Sequence, residues 1–170
     1  PVDRQSIRTM VVRRSDELIR RAVLRELARG GQCFFLHNRV RNIDTIAGEV
    51  AEIVPEARIG IAHGQMPEGQ LLDIMTRFIN RRIDVLVCTT IIESGVDIPT
   101  VNTLFVNEAD HFGLSALHQL RGRVGRYRYQ AYAYFLVPPK RPITPVARKR
   151  LQALEEYSEL GAGFRIAMRD

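Results

Sequence analysis

The chain has 170 residues, of which 45 % are hydrophobic and 26 % charged, and its formal net charge is +6. That length suits one domain with a single core, and no apolar run approaches the ~20 residues of a membrane span. The start, Pro1-Val2-Asp3-Arg4, carries no apolar signal stretch and no initiator Met, as expected of an excised piece. The basicity is nearly all arginine, since Lys140 and Lys149 are the only lysines. A guanidinium fork suits phosphate, although arginine-favouring codon usage accounts equally well for most surface positions. A pI near 9.9 permits a polyanionic partner without requiring one.

In chain order, Ile7 to Val12 reads as a strand. Ser15 can cap a helix that starts with Asp16 and Glu17, buries Leu18, Ile19, Ala22, Val23 and Leu27, and stops at Gly30-Gly31. Cys33 to Leu36 is a continuous apolar run, as in a strand covered on both faces. Asn42 can cap a second helix carrying Ile43, Ile46, Ala47, Val50 and Val54. Arg58 to Ala62 is the next strand. Pro67 suits the first position of a third helix with Leu71, Ile74, Met75 and Phe78 inward. Val85 to Cys88 and Thr103 to Val106 are further central strands, Gly113 to Arg121 a short helix, and Ala131 to Val137 a last strand. Pro138, Pro139, Pro142 and Pro145 then mark a change of regime. Thr144-Pro145 opens a charge-rich helix to about Tyr157, read as an appendage to the sheet domain. Strands alternating with helices predict an α/β fold with a mostly parallel sheet. Cys33 and Cys88 lie in apolar runs and read as reduced, buried residues. His37, His63, His111 and His118 lack zinc-site spacing.

In such a sheet ligands bind where strands end and helices begin. Three segments there carry unusual residues. His63-Gly64-Gln65-Met66 precedes Pro67, and a helix start offers free N–H groups to phosphate; a tight turn needs the glycine for structural reasons alone. In CTTIIESGVDIP, Cys88 to Pro99, the Thr89 and Thr90 hydroxyls can donate to phosphate and Gly95 permits close approach. In the same run Asp97 can accept from a sugar hydroxyl and Glu93 needs a partner. A Thr-capped structural loop fits those residues equally well. In QLRGRVGR, Gln119 to Arg126, the arginines Arg121, Arg123 and Arg126 crowd a helix end beside Gly122 and Gly125. Glycines cost ~1 kcal/mol each inside a helix, so this turn reads as one built to present guanidinium groups to an anion. An arginine stabilising a transferring phosphoryl group contributes ~10³ to 10⁵ in rate.

Asn107-Glu108-Ala109-Asp110-His111 imitates the acidic box that holds Mg²⁺ in ATPases. The box works beside a phosphate loop, and this chain has no Gly-Lys dipeptide. Glu108 and Asp110 therefore read as loop acids paired with local arginines, and the domain as one that completes an ATP site made elsewhere.

Together these segments resemble the second RecA-like lobe of superfamily 2 helicases. TTIIESGVDIP is similar to that family's fifth motif, QLRGRVGR to its sixth and CFFLHNRV to its fourth. GQCFFLHNRV, PEARIGIAHGQM, LVCTTIIESGVDIP and ADHFGLSALHQLRGRVGR are similar to bacterial transcription-repair coupling factors, with RecG-type branch-migration helicases as relatives. The resemblance implies a RecA-like three-layer domain over residues 1–138. Residues 139–170 would be the start of a C-terminal helical hairpin, cut short at Asp170 before its second arginine. It implies that Gln119, Arg123 and Arg126 face the nucleotide, with Arg126 and Arg123 nearest the γ-phosphate. Gly95 and Asp97 would touch the nucleotide. Thr89, with the Asn38 and Gly64 turns, would follow the DNA backbone, and Arg150 would couple ATP turnover to movement. ATP and Mg²⁺ would be held mainly by a first lobe outside this chain. The implied partners are double-stranded DNA, that first lobe, and RNA polymerase and excision-repair proteins through other domains. The implied location is cytoplasmic, with no membrane contact. A RecG-like lobe and a non-catalytic nucleic-acid-binding module are the alternatives. Tyr127-Arg128-Tyr129 replaces the small or His-rich residues of the family pattern and reads as surface packing, with base stacking as the other option.

Overall fold

The computed structural model describes residues 7–89, 98, 100–122, 124 and 129–158, the last two by backbone alone. Six strands form one sheet. They are β1 (Ile7–Arg13), β2 (Gln32–Leu36), β3 (Ile59–Ala62), β4 (Val85–Cys88), β5 (Val101–Val106) and β6 (Ala131–Val137). Their order is β1-β6-β5-β2-β4-β3, and every pairing is parallel. The helices are α1 (Asp16–Ala28), α2 (Ile43–Ile53), α3 (Glu68–Ile79), α4 (Leu114–Arg121) and α5 (Pro145–Ser158).

A parallel sheet must be covered on both faces, and side-chain alternation sorts the residues. Cys33, Phe35, Val85, Val87 and Phe105 point to one side, where Ile19, Ala22 and Val23 of α1 and Ile43, Ala47 and Val50 of α2 meet them. Phe34, Leu36, Leu86, Leu104, Val106 and Phe135 point to the other, against Phe78 of α3, Leu117 and Leu120 of α4, and Leu151 and Leu154 of α5. The result is the three-layer α/β architecture expected. Both cysteines are free and fully buried, and burial pushes both thiols above their usual range.

Local signals mostly act as read. The Ser15 hydroxyl accepts from the Leu18 N–H at 3.1 Å, and Gly30, with φ of 82°, turns the chain out of α1. Three readings change. Pro67 is the cap of α3, not its first residue, and of the expected inner face only Phe78 is fully buried. Asn42 stands at the cap of α2 but makes no side-chain cap bond, because its carboxamide is taken by His37.

The third change concerns α5, which is joined to the sheet more closely than an appended element. Its Ala147, Leu151 and Leu154, after Ile143, form a buried stripe at helical spacing. The buried Glu155 accepts the Val11 N–H at 2.9 Å. β1 is an edge strand, so this bond occupies a group that would otherwise template pairing with another chain. The remainder of the hairpin, 159–170, lies outside the described residues.

A second buried acid, Glu26, sets up a stability test. Arg29 donates to both its carboxylate oxygens, at 2.7 and 2.8 Å, and the Thr103 hydroxyl donates as well. A Cβ on Gly31 would come within 1.9 Å of the Glu26 Oε2 and 2.7 Å of its Cδ. Since Glu26 is held on both oxygens, Gly31→Ala is expected to destabilise the fold by about 2–4 kcal/mol in urea denaturation. Gly48, in the middle of α2, has nothing within 4 Å of its would-be Cβ. Gly48→Ala is expected to be stabilising by up to ~1 kcal/mol.

Candidate functional site

All strands run the same way, so their carboxyl ends form one edge of the molecule. Leu36, Cys88 and Ala62 are in register across β2, β4 and β3. Asn38, Thr89 and Gly64 follow those three strands, so they form a row about 10 Å wide at ~4.8 Å per strand. Asn38 and Gly64 are exposed, whereas Thr89 is only 6 % exposed. The Thr89 N–H donates to the Ala62 carbonyl at 3.2 Å, which ties the ends of β4 and β3 together. At the middle position of the neighbouring turn, the Gln65 N–H is taken by His63 Nδ1 at 3.2 Å.

A buried polar relay pins this edge. The Asn107 Nδ2 donates to His37 Nδ1 at 2.9 Å, and His37 Nε2 donates to the Asn42 Oδ1 at 2.8 Å. Arg14 lies 3.5 Å from the Asn107 Oδ1 and pairs with Glu49 at 2.8 Å. The chain of donors fixes His37 as the Nε2–H tautomer. His37 is 1 % exposed and Asn107 3 %, so losing either partner strands a buried polar group. No zinc-like arrangement is present among the described residues. The sequence did carry a signal for the relay: His37 and Asn107 directly follow the apolar strand ends Phe34-Phe35-Leu36 and Leu104-Phe105-Val106, with no turn residue between.

The acidic segment after β5 behaves as expected of loop acids. Glu108 lies 3.6 Å from Arg39, and Asp110 lies 3.4 Å from Arg141. Their carboxylates are engaged by guanidinium groups, which is the wrong environment for Mg²⁺. Arg39 and His111, with Asn38, Asn107 and Phe112, line a cavity of about 70 Å³ beside them.

Of the three arginines of QLRGRVGR, Arg121 lies within the described residues. Arg121 turns inward: its Nη1 donates to the Leu154 carbonyl of α5 at 3.0 Å, and its Nη2 meets His118 Nδ1 at 3.1 Å. Burial pulls its pKa below the usual arginine range, yet it stays a cation near neutrality. Arg121 thus leaves the anion-presenting group in which the sequence placed it. Arg150 is also bound to backbone, donating to the Phe112 and Asp110 carbonyls at 3.1 and 3.0 Å. Arg121 carries one bond from α4 to α5, and Arg150 carries two from α5 to the segment before α4. Gln119 is exposed on the last turn of α4, with Leu117 and Leu120 inward. Arg123, Arg126, Gly95, Asp97, Thr90, Glu93, Tyr127 and Arg128 lie outside the described residues.

Residues 15–128 match the family described as helicase conserved C-terminal domain. The chain belongs to that family. The whole chain is 52 % identical to the transcription-repair-coupling factor of Myxococcus xanthus and 54 % identical to that of Bacillus subtilis, covering 14 % of each relative. The chain therefore spans about one seventh of the curated relatives it matches. Among solved structures, RecG bound to a three-way DNA junction superposes with a TM-score of 0.78 at 32 % identity, over 98 % of this chain and 22 % of that one. The C-terminal domain of the DEAD-box protein Dbp5 superposes at 0.64 with 20 % identity, over 96 % of this chain and 89 % of that one, a likeness of fold. The resemblance read from the motifs is borne out at the level of family, lobe and relatives.

His118 supplies a pH test of the Arg121 contact. Partial burial, then the neighbouring Arg121 charge, lowers its pKa. A base with a depressed folded pKa favours the fold fully above its unfolded value of about 6.5. That contribution fades as pH falls through the folded value. Arg121→Met should move the His118 titration upward in NMR, toward the ordinary value, and weaken the acid sensitivity of the lobe.

Proposed function

We propose that this chain is the second motor lobe of an ATP-dependent double-stranded DNA translocase of the transcription-repair coupling type. The observation that carries the reading is identity above 50 % to transcription-repair-coupling factors along all 170 residues. Gln119 supports it, being exposed on the last turn of α4, four residues before Arg123 in the sequence. ATP and Mg²⁺ bind mainly to a first RecA-like lobe. Gln119, Gly95 and Asp97 complete the nucleotide site, and Arg123 and Arg126 reach the γ-phosphate. Charge spread over the transferring phosphoryl group is what those cations stabilise.

Lobe closure then moves the row formed by Asn38, Gly64 and Thr89 along one DNA strand. Residues 1–138 serve as the motor lobe, and 139–170 begin the element through which Arg150 couples that closure to movement. In the complete cytoplasmic protein this motion displaces stalled RNA polymerase and leads to excision repair, through contacts on other domains. No helix among the described residues is long and apolar enough to cross a membrane. The likeness to the RecG structure favours one second reading, a branch-migration lobe. A polymerase-displacement assay on the complete protein separates the two.

Arg126→Ala in the complete protein is expected to lower DNA-stimulated ATPase by at least about 10³-fold. A wild-type rate sinks the arginine role. The 170-residue chain by itself is expected to show no ATP turnover, since the phosphate loop is on the other lobe. Phosphate release by the purified chain would overturn the half-site reading.

A further inference from the structure

On the α1 side of the sheet, α1 lies over β2 and β5 and α2 over β3 and β4. On that side Arg8 is exposed and Met10, Val12 and Tyr132 are partly open, beside the buried Tyr134 and Leu136. Arg8, Met10 and Val12 of β1 alternate outward there, opposite Tyr132, Tyr134 and Leu136 of β6 in register. The Arg25 guanidinium lies 3.7 Å over the Tyr132 ring and donates to the Tyr134 hydroxyl at 2.6 Å. Arg29 lies 5.6 Å from the same ring and 5.7 Å from that of Tyr129, which is 50 % exposed. The outcome is a shelf with an apolar and aromatic floor and a basic rim.

The charges on the rim are unbalanced. Glu26 is committed to Arg29 and Thr103, and Glu17 to Arg21 at 3.4 Å. Among the described residues no carboxylate pairs with Arg8 or Arg25. Stacking on Tyr132 orients the Arg25 guanidinium while leaving in-plane donors to spare. We propose that this shelf docks an acidic, extended segment of a second protein, its carboxylates on Arg8 and Arg25 and its apolar side chains on Met10 and Val12.

Two other occupants fit less well. A second copy of this chain brings a net charge of +6 to a surface that is already basic. Nucleic acid is expected at the carboxyl edge, whereas Tyr132 stands five residues back along β6, about 16 Å away at ~3.3 Å per residue. The proposal is independent of the motor reading.

The test uses the complete protein and a fluorescent peptide of alternating glutamate and leucine, with oligothymidylate as the competing class. Arg8→Glu with Arg25→Glu should weaken peptide binding by about tenfold or more, read by anisotropy near physiological salt. The milder Arg8→Gln with Arg25→Gln should also weaken it, with an unchanged melting temperature. Arg77→Glu with Arg82→Glu, an equal charge change on another exposed surface, should leave peptide affinity within about twofold. Oligothymidylate binding and DNA-stimulated ATPase should be unchanged in all three. The proposal fails if the wild type does not bind the peptide, or if the control pair loses as much affinity. It also fails if the Arg8 and Arg25 variants lose oligothymidylate binding instead.

Discussion

The His37 ring, held between Asn107 and Asn42, is the interaction on which the functional edge depends. It sits where three elements end or begin: β2, β5 and α2. The backbone repeats the connection, because the His37 N–H donates to the Cys88 carbonyl and the Asn107 N–H to the Leu36 carbonyl. A parallel sheet buried on both faces can place polar chemistry only at its strand ends. There the polar groups must still be satisfied, since an orphaned buried donor or acceptor costs about 1–3 kcal/mol. The relay meets that requirement with side chains from three strand ends and one helix start. It fixes the exit of Asn38 from the sheet and couples it to Arg14 at the end of β1. The placement of the Asn38, Gly64 and Thr89 row follows from this satisfaction of buried groups more than from any loop of its own.

Arginine is the residue that distinguishes one role from another in this lobe. Sequence presents a crowd of guanidinium groups and no means of ranking them. The fold ranks them by burial and by acceptor. Arg121 and Arg150 spend their donors on backbone carbonyls across the α4 to α5 junction, and Arg29 holds a buried carboxylate. Arg39 and Arg141 neutralise loop acids. Arg25 stacks on tyrosine. A +6 charge is thus no measure of how much anion the lobe can hold, because a good part of it is structural.

The central strands were legible from their short apolar stretches, and β4 and β6 match their expected limits. The role of α5 was not legible. Its inner stripe, Ala147, Leu151 and Leu154, is interrupted by Arg148, Lys149 and Arg150 and followed by Glu155, which is itself buried against β1. No periodicity distinguishes a solvated glutamate from one that accepts an edge-strand N–H. The Asn42 reading failed for a related reason: a cap-forming side chain is equally good for a buried imidazole, and tertiary contact decided between them. The motifs at the carboxyl edge were readable by family likeness, which assigns chemistry to positions but says nothing of which way a side chain turns.

That distinction sharpens the half-site argument. Arg121 precedes Gly122 and belongs to the last turn of α4, so its direction is set by the helix, whose inner face also carries Leu117 and Leu120. A guanidinium on that face meets α5. Gly122 caps the helix, so the arginines after it are not held to its inner face. The spacing of QLRGRVGR therefore divides one basic run into two jobs. The arginine before the first glycine anchors α5 to the motif, and those after it are the ones proposed to meet a nucleotide on another lobe. The division needs no phosphate loop on this lobe, and its arginines have a target only when the other lobe supplies one.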